Sequence, residues 1–199
     1  DYYAESTPMP HILRAILGRL DRYLMNYVDK IIVVDPSRLK QIGRENDSTV
    51  AVIFNSPSDH LTTKKLSDKD TPRDSGDFFR IFYAGVLPVD RDIKSMIHGS
   101  MEFGDVSIEI AGYGYQENEI KEICGKYSRS QFIGAITYET VIEKTLQADL
   151  LFALYDPKIP NNRYASPNKL FEAMMCGKPI LVSDNTAMAD VVKEENCGL

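Results

Sequence analysis

Between His11 and Val28 the apolar residues Ile12, Leu13, Ile16, Leu17, Leu20, Leu24, Tyr27 and Val28 recur at helical spacing, with Arg14, Arg19, Asp21 and Arg22 between them. That spacing gathers the apolar side chains into one stripe of an amphipathic helix. A stripe flanked by arginines suits packing on a core, and it also suits lying on an anionic membrane surface. The pattern then changes to a short apolar run, Lys30–Val34, a helix near Pro36–Gly43, and a second apolar run, Val50–Phe54. Strands of a parallel sheet are covered on both faces, so two apolar strands joined by a helix predict a parallel α/β unit.

Asn55-Ser56-Pro57-Ser58-Asp59 breaks this pattern, and from there to Asp77 most residues are Lys, Asp, Ser and Thr. Such composition predicts an interdomain linker over residues 58–79. A regular alternation follows: strand Arg80–Tyr83, helix near Asp90–Met101, strand Val106–Ala111, helix near Glu117–Tyr127 and strand Gln131–Ile133. It continues with helix Tyr138–Gln147, strand Leu150–Leu154, helix Pro167–Cys176, strand Ile180–Val182 and helix Ala187–Glu194. Strands alternating with helices predict an α/β fold with a doubly wound, Rossmann-like parallel sheet over residues 80–199, preceded by a partial α/β domain over residues 1–57.

Ligands of such sheets bind beyond the carboxyl ends of the strands. The segments expected there are rich in glycine: Gly85, Gly112-Tyr113-Gly114, Gly134, and the longer Tyr155–Ser166 segment. Glycine lets a backbone approach a ligand closely, although strand-to-helix turns need it for their own geometry too. The helix after that last segment carries two unusual charges. Ser166 is expected as its N-cap, Pro167 as its first residue, and Gly177 with Pro179 as its stop. Lys169 then falls in the first turn, where the helix dipole disfavours a cation. A lysine beside free helix N–H groups is a ready site for a phosphate. Glu172 follows three residues later, so both side chains lean toward the same mouth, where a carboxylate can accept two hydroxyl hydrogen bonds. Arg91, expected at the start of the helix after Gly85, is a second cation that can help clamp a diphosphate. The simpler readings are a solvated first-turn lysine, an exposed glutamate, and an Arg91 paired with Asp90 or Asp92.

Composition narrows the classes. With 29 acidic and 23 basic residues the net charge is −6, which argues against a general nucleic-acid binder. Cys124, Cys176 and Cys197 have neither disulfide-framework nor zinc spacing, and a reducing cytosol fits them best. His11, His60 and His98 are isolated, so no metal site is expected. No apolar run reaches the ~20 residues of a membrane span. GxxxxGK[ST] is absent, and Gly112-Tyr113-Gly114-Tyr115-Gln116-Glu117 lacks the third glycine of the dinucleotide fingerprint.

Taken in order, Phe82-Tyr83-Ala84-Gly85, Arg91, Ile110-Ala111-Gly112-Tyr113-Gly114, Phe132-Ile133-Gly134, Ala148-Asp149-Leu150 and Ser166–Met174 with Gly177-Lys178-Pro179 resemble the nucleotide-sugar-binding half of GT-B fold glycosyltransferases of the retaining, family 4 type. The resemblance implies a hexosyltransferase using a nucleotide-diphospho-sugar donor such as a UDP- or GDP-sugar. Glu172 would hold the ribose hydroxyls, and Arg91 and Lys169 the diphosphate, with no cofactor and no metal required. Gly134, Ala135, Ile136 and the Gly112–Gly114 loop would flank the base, with Gly85, Tyr155, Ser166 and Asn168 beside the donor. It further implies a cytoplasmic enzyme, free or peripheral on the cytoplasmic membrane face, acting on a glycolipid, polysaccharide or glycoprotein precursor, a lipid-linked sugar among them. Residues 1–57 resemble the end of an N-terminal acceptor domain, with further elements expected after Leu199. One position departs: the family often has a glutamate eight residues before Glu172, and here that residue is Tyr164. Tyr155, Asp156, Asn161 and Asn162 are candidate substitutes for its sugar contact. A sugar-nucleotide epimerase of the same architecture and a non-catalytic nucleotide-binding α/β module are the alternatives, and neither the acceptor nor an oligomeric state has a signature in these residues.

Overall fold

A computed structural model describes residues 10–58 and 78–199; most of the expected linker, with His60, lies outside the described residues. Helix α1 (His11–Leu24) runs into a 3-10 turn at Met25–Tyr27. Strand β1 (Ile31–Val33), helix α2 (Ser37–Ile42) and strand β2 (Val50–Val52) form a parallel two-stranded unit, with Ile31 opposite Val50. Gly43, at φ 70°, closes α2 in the left-handed conformation that glycine reaches without strain.

The larger unit is β3 (Phe79–Val86), α3 (Ile93–Ser100), β4 (Val106–Tyr113), α4 (Glu117–Cys124), β5 (Ser130–Gly134), α5 (Tyr138–Gln147) and β6 (Leu150–Ala153), then α6 (Pro160–Arg163), α7 (Asn168–Met175), β7 (Ile180–Val182) and α8 (Ala187–Glu195). Its five strands are all parallel, in the order β5-β4-β3-β6-β7. The order reverses between β3 and β6, and a crevice opens at such a point because the flanking connections leave to opposite sides. Residues Gly198 and Ile180 add a parallel bridge beyond β7.

The period-2 alternation of β3 divides the core between the two faces of the sheet. Phe82 packs with Leu151, Ala153, Leu170, Ala173 and Met188 on one face, and Ile81 and Tyr83 pack with Ile97, Ile110, Ile120 and Phe152 on the other. Removing each of the larger aliphatic and phenylalanine side chains among them from water contributes about 1.5–3 kcal/mol. Thr137 and Thr186 cap α5 and α8, each hydroxyl accepting from a backbone N–H at 3.3 Å.

The expected architecture is present, with specific differences. Strands β3 and β4 run further than expected, so Gly85 and Gly112 are paired strand residues rather than loop residues. Arg91 does not open a helix; it ends a 3-10 turn, Val89–Arg91, and α3 starts two residues later after Asp92 takes φ 44°. Ser166 does not cap α7: its hydroxyl is buried without a hydrogen-bond partner among the described residues, and Pro167 occupies the N-cap position. The short α6 arises inside what reads as a polar loop, started by Pro160 with its fixed φ. Helix α1 leaves its stripe exposed, with Ile12 at 76%, and the 3-10 turn exposes Tyr27 at 70%; β1 buries Val33 but exposes Ile32, so these elements are less buried than their apolar character predicts.

Candidate functional site

At the carboxyl ends of the strands a cavity of about 380 Å³ is lined by the ends of β3 and β4, by Ala135 and Ile136 after β5, by Tyr138 and Val141 of α5, and by Asn168, Lys169 and Glu172 of α7. Of the residues singled out by sequence, Gly85, Gly112, Tyr113, Ala135, Ile136, Asn168, Lys169 and Glu172 line this one cavity. Apolar walls with a few convergent polar groups are the usual make-up of a small-molecule site.

The two charges of α7 are held in contrasting ways. Glu172 is buried, and burial pushes its carboxyl pKa up against the opposing pull of Lys169 and the Tyr138 hydroxyl. Lys169 is half-buried, with its Nζ 3.4 Å from the centre of the Tyr83 ring. Its amino pKa is driven well down by burial first and by Arg91 second, with Glu172 opposing. The ammonium has no hydrogen-bond acceptor among the described residues. A cation partly withdrawn from water without a bonded anion is costly, and an arriving anion relieves that cost. Tyr138 has its phenol pushed up to about 12, by burial and then by the Glu172 charge it faces.

Arg91 is built in from three sides. Its Nη1 donates to Asp90 Oδ2 at 2.5 Å and to Asn162 Oδ1 at 3.0 Å, and its Cζ lies 3.5 Å from the centre of the Tyr155 ring. Pairing with Asp90 is therefore real; Arg91 does not itself line the cavity, but it is close enough to Lys169 to lower that amine's pKa. Tyr155 is buried as the platform under the guanidinium.

The glycines have separate reasons. A Cβ on Gly112, at φ 148°, would run into the Gly85 carbonyl oxygen; one on Gly85 would sit 3.2 Å from Lys169 Nζ. Gly85 thus leaves the space through which Lys169 reaches the cavity. Gly114 does not line the cavity; at φ 138° it packs against Leu87, where a Cβ would lie 3.0 Å from the Leu87 nitrogen. Gly134 turns the chain at φ 71° before Ala135 and Ile136. Ser166 lies outside the lining, its carbonyl accepting from Asn55 Nδ2 at 2.8 Å. Of the candidate sugar contacts, Asn162 is buried under Arg91 and Asn161 accepts from Arg38 of α2 at 2.9 Å. Tyr164 lines a separate cleft with Ser37, Lys40 and Arg163. Sequence reasoning missed Tyr138 and Tyr83, and it named Asp90 only as an ion-pair partner of Arg91. Only Tyr138 had a legible signal, since it follows the Gly134 turn at the same sheet edge.

Among the described residues no group of three or more His, Cys, Asp and Glu side chains is placed to hold a metal ion, and no helix is long and apolar enough to cross a membrane. A profile of the family described as glycosyl transferases group 1 matches residues 85–199. The chain belongs to the group 1 glycosyl transferases. All of the cavity lining except Ala84 falls inside the matched span. Comparison with curated proteins gave no match. Solved structures of similar fold include Anabaena HepE in complex with UDP, at 16% identity and TM-score 0.65, over 92% of this chain and 52% of that one. The sucrose-phosphate synthase of Thermosynechococcus elongatus gives 16% identity and TM-score 0.65, over 92% of this chain and 47% of that one. WaaG, a glycosyltransferase involved in lipopolysaccharide biosynthesis, gives 14% and 0.60, over 85% and 48%. This group 1 chain spans about half the length of those structures.

Proposed function

We propose that the cavity is the donor site of a glycosyltransferase that moves a hexosyl group from a nucleotide-diphospho-sugar to an acceptor with retention of configuration. The observation that carries this is the pair on α7: a buried carboxylate and a half-buried ammonium with no bonded anion, facing one cavity at the carboxyl edge of the sheet. HepE, of similar fold, was solved with UDP, which makes UDP the first ligand to try and GDP the second.

In this reading Glu172 accepts hydrogen bonds from the ribose hydroxyls. Lys169 and Arg91 take the diphosphate, and Ala135, Ile136 and the exposed Tyr113 flank the base. The bond from the sugar C1 to the distal phosphate oxygen breaks, and its electron pair leaves with the nucleoside diphosphate. The acceptor oxygen bonds C1 from the same face, and the acceptor hydroxyl proton passes to the departing phosphate oxygen. Negative charge grows on that phosphate in the transition state, so fixed cations aimed at it lower the barrier without reorganising. The protein's own cations serve here, with no metal required. A glycolipid, polysaccharide or glycoprotein precursor is the acceptor class.

Titrating the folded chain with UDP and GDP, with EDTA present, tests the reading. Saturable binding that is weakened by Glu172→Gln supports it. A folded chain that binds neither nucleotide at millimolar concentration overturns it.

A further inference from the structure

Asn162 is almost fully buried at 1% exposure, and its side-chain amide is fully engaged. Its Oδ1 accepts from Arg91 Nη1 at 3.0 Å, while its Nδ2 donates to Asp90 Oδ2 at 2.8 Å and to the Asp156 carbonyl at 3.1 Å. Asp90 in turn accepts from Arg91 at 2.5 Å through that same Oδ2, and its carbonyl accepts from the Asp156 N–H at 3.1 Å. The three side chains close a ring of hydrogen bonds, Arg91 to Asn162 to Asp90 and back to Arg91. Asn161, next along α6, ties the same turn to Arg38 of the smaller sheet unit.

The ring leaves Arg91 in one orientation. A guanidinium has five N–H donors in a rigid plane. The two on Nη1 are spent on Asp90 and Asn162, and the Tyr155 ring at 3.5 Å fixes the tilt of the plane. Tyr155 also shares a side-chain hydrogen bond with the guanidinium, and the N–H groups on Nε and Nη2 that stay unspent are the ones able to meet a phosphate oxygen. A free arginine would lose rotamer entropy on gripping a phosphate; one already fixed has lost that freedom in folding.

We infer that Asn162, with Asp90, is a positioning group for phosphate recognition. It sets the Arg91 guanidinium toward the diphosphate and makes no contact with the donor itself. This rests on the donor-site reading above, and it reassigns Asn162 from a candidate sugar contact to a support for Arg91.

The experiment is a double-mutant cycle on UDP affinity, using wild type, Arg91→Ala, Asn162→Ala and the pair. Asn162→Ala is expected to weaken UDP binding by roughly 5–30-fold, the loss of one oriented charge-assisted contact. In the background of Arg91→Ala it is expected to weaken it no further. A purely structural Asn162 would lower affinity equally in both backgrounds, and losses that multiply overturn the inference. Should Asn162→Ala fail to give a cooperative melt, Asn162→Ser carries the same cycle, because its side chain is too short to bridge Arg91 and Asp90. A wild-type chain that binds no nucleoside diphosphate overturns the donor-site reading, and this inference with it. Wild-type binding that Arg91→Ala leaves unchanged overturns the inference and the diphosphate role of Arg91, while the donor site at Lys169 and Glu172 stands.

Discussion

Replacing Lys169 with methionine separates function from stability. The ammonium sits 3.4 Å above the Tyr83 ring, with burial and Arg91 pressing its pKa down. At neutral pH the fold bears a cost on either side of that lowered pKa, by holding a desolvated charge or by shedding a proton that the unfolded chain would keep. Methionine has nearly the same length and no charge. It gives up a cation–π contact of about 0.5–2 kcal/mol and regains a sulfur–aromatic contact of about 0.3–1.5 kcal/mol. With the desolvation cost also gone, the free protein is expected to melt at the wild-type temperature or above it. Binding moves the other way. A charge-assisted hydrogen bond to a diphosphate is worth about 1.5–3 kcal/mol, so UDP affinity is expected to fall roughly 10–150-fold. Calorimetric titration reads the affinity, and a thermal melt of the free protein reads the stability. Unchanged affinity in a cooperatively folded Lys169→Met would refute the diphosphate role. A drop in melting temperature beyond about 4 °C, near 1 kcal/mol or more for a chain of this size, would show that Lys169 serves the fold instead.

Glu172→Gln keeps shape but weakens the acceptor; UDP affinity should fall by about 1–3 kcal/mol, whereas the 2′,3′-dideoxy analogue should bind both forms alike. Gly112→Ala should cost stability well above the ordinary surface range of about 0.5 kcal/mol, because its Cβ meets the Gly85 carbonyl oxygen at φ 148°. A melt within 1 °C of wild type would count against the close packing of these strand ends. Nucleotide affinity should fall on the acid side as pH drops through the raised Glu172 pKa and protonates the acceptor. It should fall on the alkaline side as pH rises through the lowered Lys169 pKa and discharges the cation. The working window is therefore narrower than the ordinary values of 4.5 and 10.5 would give, and an affinity profile flat across that whole range would contradict both assignments.

The sequence shows the parallel sheet clearly, because strand-length apolar runs alternate with helical periods throughout residues 80–199. Lys169 and Glu172 are legible too, since a cation in a first turn and a carboxylate one turn on are features of local spacing. The surroundings of Arg91 are not. Its pairing with the adjacent Asp90 reads from sequence, but Asn162 reaches Arg91 and Asp90 through a folded connection across 71 and 72 positions of chain, and nothing in a polar loop announces that its asparagine will be buried. The glycines are half legible. Their clustering at one sheet edge reads correctly, but Gly112 and Gly114 are fixed by neighbouring backbone at Gly85 and Leu87, a contact that exists only once β3 and β4 pair. Ser166 misled because Ser-Pro at a helix start resembles a cap, while the chain here enters the helix at Pro167 with extended backbone. The exposed stripe of α1 shows the limit of periodicity, which marks an apolar face without stating what covers it.

The central claim is that the α7 cavity takes the nucleoside diphosphate of a sugar donor. The most direct measurement is a calorimetric titration of the folded chain with UDP and with GDP in EDTA, run beside Lys169→Met and Glu172→Gln. The account predicts saturable binding of one of the two nucleotides below millimolar concentration, lost or strongly weakened in both variants. A cooperatively folded wild-type chain that binds neither nucleotide, or binding that both variants leave intact, would contradict it.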